Sequence, residues 1–323
     1  MSDRLRSDMM AFTLNVFVIA VVVFLPVSTS AEPTLRVFYT ANVKGFIDPC
    51  GCPGAPAGGI TRRATFFRER ADVPSIKLDG GEILGNDTPI DRMRTIYLLR
   101  AMQEMGYRTI GVGPRDFMYG REFIEFIAQE FQFTLVNANV VDENGAPIFA
   151  PYAIEEVSET GLLGMQRSVT RIGILNVIGE DRTPLTIPTN PPVYVTDPVT
   201  AASRIVDELR SEVDLIVLMA NVNPETLNTL TQIDGVDIIL MTRLTRIPGE
   251  YVVVNDKTAI GYSTIEGRGI GQIDVTLRSG ELVDVKGSLT MLFDRIPEDR
   301  TMLRIREEFE NWKDQYIDEL PSP

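Results

Sequence analysis

The sequence predicts an α/β fold in which helices cover a β-sheet, and three observations support this. Apolar residues make up 44% of the 323 residues and charged residues 24%, the balance of an ordinary globular protein. Through the first half of the chain, short apolar runs typical of strands alternate with longer amphipathic segments typical of helices. A polar loop follows each predicted strand, and in such folds these loops gather at one end of the sheet.

The first half repeats strand, loop and helix. Alternating and apolar runs predict strands at 34–40, 75–78, 109–112 and 133–136. Apolar residues at helical spacing predict helices at 60–71, 89–105 and 121–131. Gly106, directly after the second helix, is typical of a residue that ends a helix.

The second half is less regular and richer in strands. Strands are predicted at 171–177, 215–219, 236–241, 251–254, 259–264, 272–277 and 282–293. Helices are predicted at 198–209, 224–230 and 300–320. Ser279 and Gly280 predict a hairpin turn between the last two strands. No repeat or linker divides this part of the chain, so we expect one domain at 32–295 and a C-terminal helix, 296–323, packed on it.

Histidine is absent from the whole sequence, which excludes several kinds of site. There is no imidazole general base, no Ser-His or Cys-His nucleophile and no zinc site of the Cys/His type. The 31 basic and 45 acidic residues give a net charge of −14. Because nonspecific nucleic-acid binding needs a cationic surface, we expect no nucleic-acid partner.

The first 31 residues have the features of a signal peptide. Arg4 and Arg6 precede an apolar run at 11–25, and Thr29 and Ala31 fit the small-residue pattern of a cleavage site. The run is shorter than the roughly 20 residues that a membrane-spanning helix needs, although an uncleaved anchor stays an alternative. We expect a periplasmic or secreted body that contacts the membrane only through this segment, if it is not cleaved.

The two cysteines, Cys50 and Cys52, lie one residue apart in the loop after the first predicted strand. A disulfide between them would close a very small ring, so we expect it to be strained, labile and oxidising. Such a bond would add little stability by chain entropy. Thiol-disulfide redox is therefore the first hypothesis, with this pair as the catalytic residues and a redox protein as partner. A passive loop disulfide and the capture of Cu(I) or Zn(II) by two thiolates stay open.

Seven short motifs lie at or beside the strand ends, and they read YTANVKG, GGITRRA, LDGGEILG, GPRDFMYG, NANV, LMAN and MTRLT. Their order and spacing resemble the calcineurin-like metallophosphoesterases, in particular the 5′-nucleotidase branch. That family has TNDxHG, GG before ARxA, DxGDxxxG, GNHEFDxG, SANV, LSH and GGHTH at these places. The resemblance covers about residues 34–280 and implies a four-layer α-β-β-α sandwich with two mixed sheets. The PCGC string at Cys50 is also similar to an exported subset with a degenerate metal site.

The resemblance implies where a two-metal centre would lie. The positions that match metal-binding and catalytic residues carry other side chains here, namely Asn42, Lys44, Glu82, Pro114, Arg115, Arg243 and Thr245, with Asn221 near a further match. Because Lys and Arg cannot serve as metal ligands, we expect no metal ion and no other cofactor. Lys44, Arg115 and Arg243 could instead bind a small anion. One divalent ion on Glu82 and Asp116 is an alternative, and we expect ion pairs from these acids to Lys44 and Arg115.

The main functional prediction is thus an exported 5′-nucleotidase-like protein that has lost the two-metal phosphoesterase site and uses its Cys-Gly-Cys pair for redox chemistry. Two alternatives stay open. One is a divergent phosphohydrolase of the 5′-nucleotidase type with a divalent metal, and the other is a non-enzymatic protein that binds an anion or a metal. The absence of histidine argues against phosphohydrolase activity, and whether the protein is an enzyme stays open.

Overall fold

Two mixed sheets of six strands each form the centre of the protein in the computed structural model. The structure describes residues 33–51, 53–160, 166–179, 189–243, 251–254, 258–278 and 280–319. The predicted signal peptide, Cys52 and Thr245 lie outside these residues. No helix within the described residues has the length and apolarity needed to cross a membrane.

The first sheet has the strand order β14-β13-β1-β2-β3-β4. Its strands are β1 (Leu35–Thr40), β2 (Ser75–Asp79), β3 (Thr109–Gly111), β4 (Thr134–Val136), β13 (Gly269–Arg278) and β14 (Glu281–Met291). β1 to β4 are parallel, and the β13–β14 hairpin adds two strands by antiparallel pairing of β13 with β1. The four parallel strands therefore end at one edge.

The second sheet has the order β11-β12-β10-β9-β7-β6. Its strands are β6 (Tyr152–Thr160), β7 (Gln166–Ile178), β9 (Leu215–Asn221), β10 (Ile238–Met241), β11 (Tyr251–Val254) and β12 (Thr258–Tyr262). β7, β9, β10 and β12 are parallel, with antiparallel β6 and β11 at the edges. Two short strands, β5 (Val140–Val141) and β8 (Tyr194–Val195), pair separately.

Helices cover the outer face of each sheet. The first sheet carries α1 (Ile60–Arg68), α2 (Pro89–Glu104), α3 (Arg121–Glu130) and α6 (Arg300–Asp318), and the second carries α4 (Pro198–Leu209) and α5 (Pro224–Leu230). Side chains alternate across the central strands, so these strands contribute to one core under the helices and to one shared core between the sheets. The four-layer sandwich with two mixed sheets is confirmed. The domain limits at 32–295 and 296–323 stay predictions, and α6 packs on α1 and α2.

The predicted elements differ from the structure mainly at edges. The sequence prediction omitted β6, where half-buried and exposed polar residues at an edge obscure the alternation of apolar side chains. It also carried the first helix to residue 71, whereas α1 ends at Arg68 and Glu69 is its C-cap. The hairpin between β13 and β14 is confirmed, with Gly280 in the left-handed region at φ 81°.

Candidate strand-end site

The described parts of the loops after β1 and β2 hold three non-glycine residues in the left-handed backbone region. These are Asn42 and Lys44, both at φ 54°, and Glu82 at φ 61°. Backbone bonds tie the two loops together, because the Asn42 N–H donates to Gly81 O at 2.9 Å and the Lys44 N–H donates to Glu82 O at 3.0 Å. Such conformations persist where the surroundings enforce them, and they are frequent at functional sites.

Asp116 fastens the loop after β2 to the loop after β3. One carboxylate oxygen accepts the Glu82 and Gly113 N–H groups, both at 2.8 Å, and the other accepts the Ile83 N–H at 2.7 Å and the Leu84 N–H at 3.4 Å. Burial raises the pKa of Asp116, while these four backbone donors act in the opposite direction. Its lone pairs are taken up by backbone, and Asp116 makes no ion pair among the described residues, whereas the alternative of a metal ion on Glu82 and Asp116 stays a prediction.

Asp79 lies at the end of β2 in a second buried polar group. It accepts the Thr40 hydroxyl at 2.6 Å and the Gly81 N–H at 2.9 Å, and the Thr40 and Tyr107 hydroxyls are 3.2 Å apart. Burial raises the pKa of Asp79 to about 6, opposed by those two donors and by the positive charge of Arg63. Arg63 itself is only 1% exposed. Asp79 and Arg63 thus form an internal charge system behind the loops.

A row of polar side chains lies on the inner face of the second sheet, at the carboxyl ends of its strands. It consists of Asn176 in β7, Asn221 at the end of β9, Thr242 after β10 and Ser263 after β12, and we call it the polar row. All four residues are buried. In the described part of the chain, Asn176 Oδ1, Asn221 Oδ1, Thr242 Oγ1 and Ser263 Oγ have no hydrogen-bond partner. Unsatisfied buried oxygens of this kind indicate a polar ligand or water.

The two sheets meet closely at the polar row. The Asn42 side-chain amide donates to the Thr242 carbonyl across the interface. A Cβ atom on Gly80 would lie 2.0 Å from Thr242 Cγ2, and one on Gly111 would lie 2.8 Å from Asn176 Oδ1. Glycine at these two strand ends therefore lets the backbone of the first sheet approach the polar row, which brings both sets of strand-end residues into one site.

Arg115 lies in a 3₁₀ turn, Pro114–Phe117, after β3. Its guanidinium donates to Leu84 O at 2.8 Å, and to Gly85 O and Asn86 Oδ1 at 3.0 Å each. No ion pair joins Arg115 to Asp116 or Lys44 to either acid in the described residues, so the expected ion pairs are wrong. Anion binding by Arg115 stays a prediction, and its donors already hold the loop after β2.

The remaining predicted residues are distributed around the same edge. Lys44 is partly buried and has no ion-pair partner among the described residues, whereas Arg243 directly follows the polar-row residue Thr242. Pro114 is buried at the start of the 3₁₀ turn. Lys44 and Arg243 therefore both follow strands that end at the site, and their anion-binding role stays a prediction.

Cys50 lies in the loop that leads from the strand-end residues to α1. Its side chain is 3% exposed, and its Sγ accepts the Ala57 N–H at 3.4 Å. The Cys50 N–H donates in turn to Ala57 O at 2.8 Å, which closes a tight backbone pairing across the loop. Because Cys52 lies outside the described residues, the redox role of the pair stays a prediction.

Sequence reasoning missed Arg63 and most of the polar row. Arg63 lies three residues from Ile60 and four from Phe67, which is the spacing of the buried face of α1. Asn176 stood in an otherwise apolar strand, RIGILNVI, and a lone amide in a buried run was the available signal. Thr242 and Ser263 carried no signal beyond following a strand.

Known proteins with a similar sequence or fold were found for this chain. No family model matches the chain. The 2′,3′-cyclic-nucleotide 2′-phosphodiesterase/3′-nucleotidase of Haemophilus influenzae is 25% identical over 214 residues, which are 60% of this chain and 32% of that protein. The solved 5′-nucleotidase precursor of Thermus thermophilus has a TM-score of 0.70 at 22% identity, over 86% of this chain and 58% of that one. The calcineurin-like phosphoesterase YfkN of Bacillus subtilis has 0.70 at 16% identity, over 90% of this chain and 100% of that one.

The chain is similar in sequence to curated nucleotide phosphoesterases and has the fold of solved calcineurin-like phosphoesterases and 5′-nucleotidases. The resemblance inferred from the strand-end motifs is confirmed by these similarities, while the exported PCGC subset stays a prediction. The chain spans about a third, 32%, of the length of the curated relatives it matches first. These relatives favour the divergent phosphohydrolase alternative over the redox hypothesis.

The family implies a pair of divalent metal ions, and the strand-end residues do not fit such a pair. Among the described residues, no three His, Cys, Asp or Glu side chains lie close enough to hold a metal ion together. The carboxylate of Asp116 is occupied by backbone donors, and that of Asp79 is buried against Thr40 and Gly81. Glu82 is the one partly exposed carboxylate among the matched positions.

Proposed function

We propose that this chain recognises a phosphate ester of the nucleotide type at the strand-end site, as a divergent member of its phosphoesterase family. The observation that carries the proposal is the polar row, whose four buried oxygen atoms lack partners among the described residues where the two sheets converge. The hydroxyls of Thr242 and Ser263 can donate to phosphate oxygens. The relatives, which are nucleotide phosphoesterases by name, supply the class of ligand.

Lys44 is the natural countercharge for such a phosphate. It follows β1 at the mouth of the site, is partly buried, and lacks an ion pair within the described residues. Ionic hydrogen bonds to phosphate are about twice as strong as neutral ones. The chain's net charge of −14 repels free phosphate in general, so binding must depend on local cations.

The test is calorimetric titration with nucleoside 3′- and 5′-monophosphates and inorganic phosphate, in EDTA. We expect measurable binding that falls about tenfold or more in Lys44→Met, the loss of one charge-assisted contact of about 1.5–3 kcal/mol. The matched control is Lys286→Met, since Lys286 lies in the edge strand β14 and pairs with Asp284 at 3.0 Å. No binding by the unmodified protein, or equal loss in both variants, would overturn the proposal.

Phosphoester hydrolysis is the second candidate, and the position of Glu82 favours it. Glu82 matches the bridging metal ligand of the family. Its backbone is held in the left-handed region and accepts the Lys44 N–H. The Glu82 carboxylate could orient a water molecule toward a bound phosphate. Release of inorganic phosphate from the same nucleotides, abolished in Glu82→Gln, would support this activity. Strong stimulation by Mn²⁺ would show that a metal centre forms after all.

The redox hypothesis has weaker support. The N–H donated to Cys50 Sγ favours a thiolate, whereas burial of the side chain disfavours both the charge and attack by a partner. Redox chemistry at Cys50 and Cys52 therefore stays a separate hypothesis, which does not conflict with phosphate recognition.

A further inference from the structure

Arg63 is a cation enclosed by the protein. It lies in α1, it is 1% exposed, and among the described residues it is the largest fully buried side chain. Within the described part of the chain, its Nε and Nη1 atoms have no hydrogen-bond partner and no carboxylate lies within 4.0 Å of it. Burial of a charge is strongly unfavourable unless an opposite charge compensates it. Such a compensating charge must therefore act from slightly further away.

The guanidinium lies directly behind the loop that follows β1. A Cβ atom on Gly267 would lie 2.2 Å from Arg63 Nη2 and 3.7 Å from Val43 Cγ1, so glycine there makes room for the guanidinium. Val43 stands between the two left-handed residues of this loop. The neighbouring Glu266 N–H donates to Asn42 O at 2.8 Å, which fixes the turn at 267 against the same loop.

Asp79 is the opposite charge. It is fully buried, and the charged or titratable groups that face it are Arg63 from α1, Asp116 from the 3₁₀ turn and Tyr107 before β3. Arg63 is the one cation of this set, and polar contacts lead from it to Asp79. Its side chain lies within hydrogen-bonding reach of Tyr107, the Tyr107 hydroxyl is 3.2 Å from Thr40 Oγ1, and the Thr40 hydroxyl donates to Asp79 at 2.6 Å. The Thr40 hydroxyl joins Asp79 to β1, so the pair spans both strand-end loops.

We propose that Arg63 is a positioning residue of the strand-end site: its guanidinium supplies, from inside the protein, the positive charge that balances Asp79 and holds the loops after β1 and β2. Because the positive charge comes from Arg63 and not from a bound metal ion, this arrangement should persist when EDTA removes divalent metals. The inference goes beyond the proposed function because it does not depend on any ligand.

The test is thermal unfolding of Arg63→Met, Asp79→Asn and the double variant, in EDTA at pH 8 and pH 5. At pH 8 the single change Arg63→Met leaves Asp79 ionised without its countercharge. We therefore expect the unfolding midpoint to fall by about 5–10 °C. At pH 5, below the pKa of about 6, Asp79 is mostly protonated and the loss should be less than half as large. Adding Asp79→Asn should recover at least half of the loss at pH 8.

Arg62→Met is the matched control. Arg62 directly precedes Arg63 in α1 and donates to Pro56 O at 2.9 Å and Leu292 O at 3.2 Å. The fall in unfolding midpoint that Arg62→Met causes should therefore be the same at both pH values and should not change when Asp79→Asn is added. If Arg63→Met behaved in the same way, the guanidinium would be packing only and the proposal would be overturned. If Arg63→Met does not fold, folding of the double variant supports the pair, and failure of both variants refutes it.

Discussion

The carboxylate of Asp116 should be among the most sensitive polar positions in this protein, and Asp116→Asn tests that. Its two oxygens together accept four backbone N–H groups, and the residue is 2% exposed. An amide retains one oxygen. Whichever way it turns, two of the four donors will face an NH₂ group that offers no lone pair.

The magnitude follows from those two lost acceptors. A hydrogen bond to a charged group contributes about 1.5–3 kcal/mol, so two should cost about 3–5 kcal/mol of unfolding free energy. At about 2–4 °C per kcal/mol for a chain of this size or somewhat smaller, the midpoint should fall by about 10 °C. The measurement is thermal or urea unfolding at pH 8.

Asp142→Asn is the control for this experiment. Asp142 also accepts two backbone N–H groups, from Asn144 at 2.8 Å and Ala146 at 2.9 Å, but both reach the same oxygen. An asparagine can keep both of these bonds, so the unfolding midpoint should not change measurably. A similar shift in the two variants would refute the argument that acceptor capacity, and not charge alone, makes Asp116 sensitive.

Two further predictions concern buried titratable groups. Burial raises the pKa of Asp237 to about 6, and the one hydrogen bond of its side chain to a described residue comes from the Ile216 N–H at 2.8 Å. The folded pKa exceeds the unfolded value of about 3.9, so the contribution of Asp237 to stability is most favourable below about pH 4 and is lost as the pH rises through 6. Asp237→Asn should therefore raise the calorimetric midpoint by a few degrees at pH 8 and leave it unchanged at pH 4; an equal effect at both would contradict this. For Cys50, 3% exposed, we expect slow reaction with a thiol reagent in the native protein, and a Cys50–Cys52 potential below about −300 mV would count against redox function.

The sequence permitted the layers to be predicted because their determinants are local. Alternating and helical apolar patterns located most strands and helices, and the order of strand-end motifs resolved the two sheets through the family resemblance. The edge strand β6 has no such determinant. β6 pairs with another strand of its sheet along one edge only, so its side chains need not alternate between apolar and polar types.

The candidate site was predictable only in part because its contacts join residues far apart in sequence. Asn42 and Lys44 could be placed at a strand end from motif order alone. The contact between Asn42 and Thr242 spans 200 residues and depends on how closely the sheets approach at Gly80. The burial of Arg63 likewise depends on a glycine at 267, which no local pattern around α1 reveals.

The strand-end loops keep an unfavourable backbone shape largely through backbone bonds. Three left-handed non-glycine residues cost on the order of 1–3 kcal/mol each. Backbone bonds between the loops and the acceptors Asp116 and Asp79 enforce these conformations, and the buried Asn42 amide adds a contact to the Thr242 carbonyl. Lys44 and Glu82 take part in these bonds through their backbone, so these two positions can change chemical type while the loops hold their shape. This explains how a family fold can be retained where ligand-type residues are replaced, and why function must be tested at the site and not inferred from the fold.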